Sequence, residues 1–230
     1  MEALRVDDLA VLAEVRALAA TLLDRYPALH ILVNNAGAYL TRRQVTSDGL
    51  ERTFALNVLG PYTLTALLAP RLMASAPARV VNVSSAAHYR SRVDFSDLQS
   101  SRRYSGFAVY GNSKLELLWL TREFARRLAG TGVTVNAVHP GFVRSGFGLN
   151  NGGATKFFMR IAMRLFARSA LRGADTPIYV ASAPELDGRT GGYYSDRQLK
   201  EGSVASRDSQ SARRLFEECA RISGVAPLPG

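Results

Sequence analysis

Several features of exported, disulfide-stabilised or membrane-spanning proteins are missing from this 230-residue sequence. Its single cysteine, Cys219, excludes an internal disulfide and fits a reducing compartment. No run of about 18 apolar residues is present, which predicts no transmembrane helix. The first eight residues are too acidic and too poor in apolar side chains for a signal peptide. We therefore expect a cytoplasmic protein, with membrane association as an alternative.

Lysine is also scarce. Only Lys114, Lys156 and Lys200 are lysines among the 29 basic residues, and the formal net charge is +10. Such a charge is compatible with binding to nucleic acid or to an acidic membrane surface. The arginines are scattered, however, and the sequence has no zinc-finger spacing and no aromatic-basic RNA-binding signature. We therefore predict that nucleic acid is not a partner.

Apolar periodicity predicts strands and helices in alternation within one domain, residues 1–230. The predicted strands are Ala3–Val6, His30–Asn34, Ala78–Val83, Gly132–Val138 and Gly191–Tyr194, the last as an edge strand. The predicted helices are Leu12–Tyr26, Asp48–Met73 (opened by an Asp48–Glu51 capping box), Ala108–Leu128, Lys156–Arg172 and Ser209–Ser223. The alternation is typical of an α/β fold with a parallel sheet between helices. The continuous apolar run at His30–Asn34 indicates a strand buried on both faces.

Polar residues follow three of the predicted strands directly, as Asn35–Gly37, Ser84–Ser85 and Pro140–Gly141. Parallel sheets bind ligands outside the carboxyl ends of their strands. Three such segments at one sheet edge therefore indicate a binding site there. Asn57, inside a predicted helix where asparagine is disfavoured, is expected to be either exposed or recruited to that site.

Tyr110 and Lys114 lie four residues apart on one side of a predicted helix. A free tyrosine has a pKa of about 10, and a cation within ~4–6 Å lowers it by ~1–3 units. The pair therefore suits proton transfer near neutral pH. Alone it is a weak motif, because roughly one such sequence in ten contains Tyr-x-x-x-Lys by chance, and a solvated helix face is the alternative.

The predicted helix Lys156–Arg172 places a basic residue at every fourth position and apolar residues mainly on its other side. We interpret the region at about 146–172 as a lid whose apolar face packs on the domain while its arginines are solvated. The alternative is a lid that also rests on a membrane surface, which would make the chain a peripheral membrane-binding module.

Five motifs in order resemble the short-chain dehydrogenase/reductase family, and more closely its retinol-dehydrogenase-like branch. They are Asn34-Asn35-Ala36-Gly37, the helix asparagine Asn57, the strand-end serine Ser85, Tyr110-x-x-x-Lys114 and Pro140-Gly141-Phe142-Val143-Arg144-Ser145. The long interval from Ser85 to Tyr110 is similar to that branch, as is Asp97-Leu98-Gln99. The resemblance extends over nearly the whole chain, from Val6 to about Ser223.

The resemblance implies an NAD(P)-dependent enzyme that interconverts an alcohol and an aldehyde or ketone, with NADP favoured by the branch. Tyr110 would be the general acid/base, Ser85 would place the substrate oxygen, Lys114 would hold the nicotinamide ribose and lower the pKa of Tyr110, and Asn57 would fix a relay water. The implied cofactor-binding residues are Asp8, Leu9, Asn35, Ala36, Gly37, Tyr110, Lys114, Pro140, Gly141, Val143 and Ser145, with no metal. A small lipophilic alcohol or carbonyl substrate and a homodimer are further implications.

The chain departs from the family at its start. The family opens with a strand, a glycine-rich turn and a helix, whose N-terminus faces the cofactor phosphates. No such element precedes Asp8, so we expect a Rossmann-like, doubly wound parallel sheet that is N-terminally truncated, with the first two strands and helices missing. That truncation would expose an edge at His30–Val33. Two alternatives follow: a sequence that starts too late, or a non-catalytic remnant or interaction protein of the same fold.

Overall fold

The computed structural model describes residue 6, residues 8–141 and residues 169–228. Apart from 3-10 and π segments, these residues contain six helices and five strands: α1 (Leu12–Arg25), β1 (Ile31–Asn34), α2 (Arg52–Phe54), α3 (Gly60–Ala74), β2 (Ala78–Val83), α4 (Gly106–Arg127), β3 (Val133–His139), α5 (Ala170–Ser182), β4 (Tyr193–Ser195), β5 (Gln198–Lys200) and α6 (Ser209–Ser223). A π-helical segment, Ala55–Leu59, joins α2 to α3, so that the three form one continuous helix.

The described strands form one sheet in the order β1-β2-β3-β4-β5. The first four strands run parallel, and β5 returns antiparallel to β4 through a tight turn. Asn34 on β1 pairs with Asn82 on β2, and Val83 pairs with Val138 on β3. The carboxyl ends of β1, β2 and β3 therefore meet at one edge, and the predicted α/β fold with a mainly parallel sheet is confirmed.

Helices cover both faces of the sheet. Alternate strand residues such as Leu32, Val80 and Val135 face a large core that α1, α3, α4 and α6 complete. The residues between them, among them Val81 and Val138, face the smaller layer formed by α5. Helices cover both faces of the central strands β2 and β3, and these strands are apolar on both faces. This is the arrangement expected for parallel sheets.

Strand β1 differs from this pattern. Ile31 is 45% exposed and Val33 is 41% exposed, while Leu32 is buried, so the prediction of burial on both faces is wrong for this strand. Helix α5 packs mainly over β2 and β3 and contacts β1 less, so that the side chains of Ile31 and Val33 stay partly exposed. Within the described residues β1 is an edge strand, as predicted, and an open apolar groove lined by Leu22, Leu29 and Ile31 separates it from α1.

Two predicted boundaries are wrong. The long helix begins at Arg52, because the side chain of Glu51 accepts the backbone N–H groups of Thr53 and Phe54 as its N-cap. Asp48 instead accepts the N–H of Leu12, at 2.8 Å, and so caps α1. Gly191–Tyr194 is not the last strand, since β4 begins at Tyr193 and β5 forms the edge beyond it.

Some predictions fall outside the described residues. These are the strand Ala3–Val6 apart from its last residue, and the lid at 146–172 apart from its last four residues. Those four do not end a helix as predicted: Ser169 caps a new one, α5, by accepting the N–H of Arg172. The helices α1, α4 and α6 and the strands β2 and β3 agree with their predicted ranges to within two residues. None of the described helices combines the length and the apolar character needed to cross a membrane.

Candidate active site

The four side chains predicted to be catalytic converge at the carboxyl edge of β1, β2 and β3. Ser85 lies two residues after the end of β2 and caps a short 3-10 helix, Ala86–Arg90. Tyr110 and Lys114 stand on the first turns of α4, and Asn57 lies in the π-helical segment. Strand ends and helix starts thus bring together residues that are up to 57 positions apart in the chain.

Tyr110 and Ser85 contact each other through their hydroxyl groups. Burial raises the pKa of Tyr110, and a hydrogen bond from the Ser85 hydroxyl acts in the opposite direction. The Ser85 Oγ also accepts the N–H of Ala87, at 3.2 Å, which fixes the orientation of its side chain. The phenol of Tyr110 is therefore neutral near pH 7, the form that can donate a proton to a carbonyl oxygen.

Lys114 is buried, with 4% of its surface exposed, and its Nζ donates to the carbonyl oxygen of Val83 at 2.9 Å. The Nζ lies 5.7 Å from the centre of the Tyr110 ring. Burial lowers the pKa of Lys114 to about 8. We expected Lys114 to lower the pKa of Tyr110, but in this structure the pKa is raised. Burial of the phenol is the largest cause, and the Lys114 ammonium is directed toward the carbonyl oxygen of Val83.

Asn57 is completely buried, which excludes the exposed alternative. Its Oδ1 accepts the N–H of Ala38 at 2.9 Å, and its Nδ2 donates to the carbonyl of Ala38 at 3.0 Å and to Ser113 Oγ at 2.9 Å. The side chain therefore ties the segment after β1 to helix α4. Ser113 in turn donates to the carbonyl of Tyr110 at 2.7 Å.

The segment after β1 forms a cradle beside these groups. A Cβ at Gly37 would lie 3.2 Å from Lys114 Nζ and 3.3 Å from Asn57 Oδ1, so only a glycine leaves this approach open. Asn35, Ala36 and Gly37 are exposed, and Gly141 turns the chain after β3 with a φ of 81°. A buried ammonium beside an open backbone surface suits the hydroxyl groups of a nicotinamide ribose, so these residues fit the expected cofactor.

The contacts described for the other predicted cofactor-binding residues are with the protein itself. Asp8 forms a salt bridge with Arg52 at 2.7 Å and accepts the N–H of Ala10 at 3.0 Å. The carbonyl oxygen of Leu9 lies 2.9 Å from the position of a Cβ on Gly60, which packs this segment against the start of α3. Pro140 follows β3 and is half-buried. Val143 and Ser145 lie outside the described residues.

Sequence reasoning missed three residues close to the site. His88 is completely buried and bonds to the carbonyl of Ser85. Ser113 joins Asn57 to α4. Glu116 is 4% exposed and lines, with Ser113, a cavity of about 20 Å³. The available signals were a histidine shortly after the strand-end serine and a glutamate shortly after the Tyr-x-x-x-Lys pair. Nothing in a single sequence shows that these two side chains are buried.

Comparisons with known proteins show which proteins this chain resembles. The short chain dehydrogenase family model matches residues 3–152. Retinol dehydrogenase 12 of Mus musculus is 41% identical over 95% of this chain and 68% of its own length. Retinol dehydrogenase 13 of Homo sapiens is 39% identical over 95% of this chain and 67% of its own length.

Solved structures are similar as well. A crystal structure of an uncharacterised protein from Mycobacterium paratuberculosis matches with a TM-score of 0.75 and 30% identity, over 97% of this chain and 75% of that one. A Burkholderia cenocepacia short-chain dehydrogenase in complex with NADP matches with a TM-score of 0.60 and 26% identity, over 82% and 72%.

Fold and site together define a Rossmann-like oxidoreductase with a tyrosine, a lysine and a serine at the sheet edge. The chain belongs to the short-chain dehydrogenase family and is similar to the retinol dehydrogenases. It is therefore an enzyme of a family that interconverts alcohols and carbonyl compounds with NAD(P).

Proposed function

We propose that this chain reduces or oxidises a lipophilic alcohol–carbonyl pair, with Tyr110 as the general acid/base. The observation that carries the proposal is the contact between the hydroxyl groups of Tyr110 and Ser85 beside the buried ammonium of Lys114. The nicotinamide cofactor supplies the hydride, so the protein has to position the substrate oxygen and move one proton.

The roles follow from the chemistry of each group. Ser85 donates a hydrogen bond to the substrate oxygen and holds it within reach of Tyr110. The neutral phenol of Tyr110 gives its proton to that oxygen in the reductive direction and takes it back in the oxidative one. Lys114 holds the nicotinamide ribose next to Gly37, and its charge stabilises the phenolate that forms. Asn57 fixes the water that carries the proton outward.

The surroundings of Tyr110 support a lipophilic substrate. The ring of Tyr39 meets the ring of Tyr110 edge-on, with 6.0 Å between centres. Phe107, one helical turn before Tyr110, is 60% exposed, and Tyr89 is 52% exposed. Exposed aromatic side chains grouped around a polar centre are typical of sites for apolar ligands with one reactive polar group.

We further propose NADP as the preferred cofactor. This rests on similarity to structures that contain it, namely the Burkholderia cenocepacia enzyme with NADP and a blue fluorescent protein with NADPH that is 27% identical with a TM-score of 0.59. Asp8, Leu9, Asn35–Gly37 and Pro140–Ser145 are the proposed contacts. Titration of the purified protein with NADPH and with NADH, monitored by nicotinamide fluorescence, tests which cofactor the protein prefers and how tightly it binds each.

The decisive experiment is the Tyr110→Phe substitution. It removes the phenolic oxygen and retains the ring, so turnover of retinal-like aldehydes and ketones should fall by at least about a hundredfold while NADPH binding is retained. Tyr104→Phe is the matched control, because Tyr104 is a half-buried tyrosine whose hydroxyl donates to the carbonyl of Leu40. Equal turnover by the Tyr110→Phe variant and the unmodified protein would sink the proposal.

The β1 edge, open within the described residues, favours a second candidate function beside turnover, the binding of a partner by strand pairing. Ile31 and Val33 are the exposed apolar residues of that strand. A folded protein that turns over no substrate would favour this function. Turnover of a carbonyl compound with NADPH by the purified chain alone would show that catalysis needs no partner at this edge.

A further inference from the structure

His88 connects the candidate active site to a distant part of the chain. It is completely buried in the 3-10 helix that Ser85 caps. Its Nδ1 lies 2.6 Å from the carbonyl oxygen of Ser85, and its Nε2 lies 3.1 Å from the backbone nitrogen of Ser203. A backbone N–H can only donate, so Nε2 is the acceptor and Nδ1 carries the proton.

The second contact belongs to a segment that is itself fixed to helix α4. Residues 201–206 follow β5, and the indole N–H of Trp119 on α4 donates to the carbonyl of Ala205 at 2.7 Å. Gly202 adopts a φ of 74°, and a Cβ there would lie 2.7 Å from Ser206 Oγ and 3.6 Å from His88 Nε2. The segment therefore approaches the imidazole closely because position 202 is glycine.

We propose that His88 is a positioning residue of the active site, which in its neutral form joins the Ser85 backbone to the 201–206 segment and so sets the place of the Ser85 hydroxyl. The inference rests on the proposed catalytic function for its effect on turnover, but not for the link itself. Since Ser85 and Tyr110 share a hydrogen bond, any displacement of Ser85 also changes the environment of the phenol.

The link depends on protonation. Burial lowers the pKa of His88, the Ser85 carbonyl raises it, and the guanidinium of Arg122 on α4 lowers it. The rings of Tyr89 and Tyr193 pack against the imidazole, with 4.2 Å and 4.9 Å between ring centres. A second titratable group, His139, contacts the same 3-10 helix, where its Nδ1 accepts the N–H of Ala86 at 3.4 Å. Protonation adds an N–H at Nε2 and abolishes the acceptor for Ser203. The folded pKa is lowered, so the link is present above it and is lost as the pH falls through it.

The first test is nuclear magnetic resonance of the unmodified protein with labelled histidine. Only three histidines are present, so His30→Gln and His139→Gln assign the other two signals by subtraction and leave that of His88. We expect His88 to carry its proton on Nδ1, and the backbone amides of Ser85 and Ser203 to shift with the same midpoint as the His88 ring when the pH is lowered. A proton on Nε2, or amides that move independently of the ring, would overturn the proposal. This test requires neither a substrate nor a variant of His88.

The second test is the pH profile of turnover for His88→Gln, with His30→Gln as the control. Misplacing Ser85 should lower kcat by about tenfold to a hundredfold with little change in KM for the cofactor, because the reacting groups are no longer aligned. The acid limb that the unmodified protein and His30→Gln share should be absent from His88→Gln. A variant that loses folded protein but keeps kcat per folded site and the same acid limb contradicts the proposal.

The two tests separate this proposal from the proposed function. If no substrate is turned over, the catalytic assignment fails while the resonance test still decides the His88 link. If His88→Gln does not fold, His88→Asn takes its place, and the titration of the unmodified protein remains decisive.

Discussion

Replacing Glu116 with Gln should stabilise the protein, and only at neutral to alkaline pH. Glu116 is 4% exposed on α4 and faces a cavity of about 20 Å³, which has room for about one water molecule. Burial raises the pKa of its carboxyl from 4.5 to about 8, and the buried Glu51 carboxylate raises it as well. No hydrogen bond from a described residue offsets these effects.

The magnitude follows from linkage between protonation and folding. At ~1.4 kcal/mol per pH unit, a change in pKa from 4.5 to about 8 amounts to at most about 5 kcal/mol of lost stability at high pH. The cavity beside the carboxyl has room for about one water molecule, whose solvation of the charge would lower this figure, so we expect about 2 to 4 kcal/mol. The sign is set by the raised pKa: the folded state keeps the proton that the unfolded state releases, so stability is highest below pH 4.5 and falls until about pH 8.

Urea unfolding between about pH 5 and pH 9 measures the effect. Glu116→Gln keeps the shape of the side chain and cannot ionise, so its free energy of unfolding should match that of the unmodified protein near pH 5 and exceed it increasingly above. Glu217→Gln, which removes the same charge from an exposed position of α6, is the control for net charge. Equal pH dependence in all three proteins would refute the assignment of a protonated, buried Glu116.

Three further predictions concern packing, reactivity and capping. Phe216→Ala should lower the free energy of unfolding by about 3–5 kcal/mol, because Phe216 is completely buried. In the same urea titration the control Phe107→Ala, at a position 60% exposed, should change it by less than ~0.5 kcal/mol. Cys219, completely buried and with its pKa raised by burial, should react with a thiol reagent only as fast as the protein opens; a fast burst of labelling under native conditions would contradict this. Asp48→Ala should cost about 1 kcal/mol, since Asp48 accepts the N–H of Leu12 at the start of α1, and hydrogen exchange confined to that helix would locate the loss.

Patterns that act over a few residues predicted the elements well. The apolar face of α1 and the apolar runs of β2 and β3 gave ranges within two residues of the observed ones, because helix and strand periodicities are local properties. The strand-end position of Ser85 and the helical spacing of Tyr110 and Lys114 followed from the same patterns. The edge position that β1 has among the described strands was likewise expected.

Contacts between distant residues could not be predicted in this way. Asp48 caps a helix that starts 36 positions earlier, and the capping role of Glu51 shifts the next helix by several residues. His88 meets Ser203 across 115 positions. In each case the side chain could form a hydrogen bond of the same kind with several groups. Only the packing of the whole chain determines which of these bonds it forms.

The π-helical segment shows what such packing contributes to the site. Asn57 uses its Oδ1 and its Nδ2 on Ala38 and Ser113, so its amide is largely committed to the protein. The segment bonds Gly60 N–H to the carbonyl of Ala55, five residues back, and the next residue, Pro61, has no N–H to give. The donor that an α-helix would supply to the Asn57 carbonyl is therefore absent. The side chain of Asn57 holds the cradle at Gly37 against α4. These side-chain contacts explain why an asparagine is found inside a helix, where its helix propensity is unfavourable.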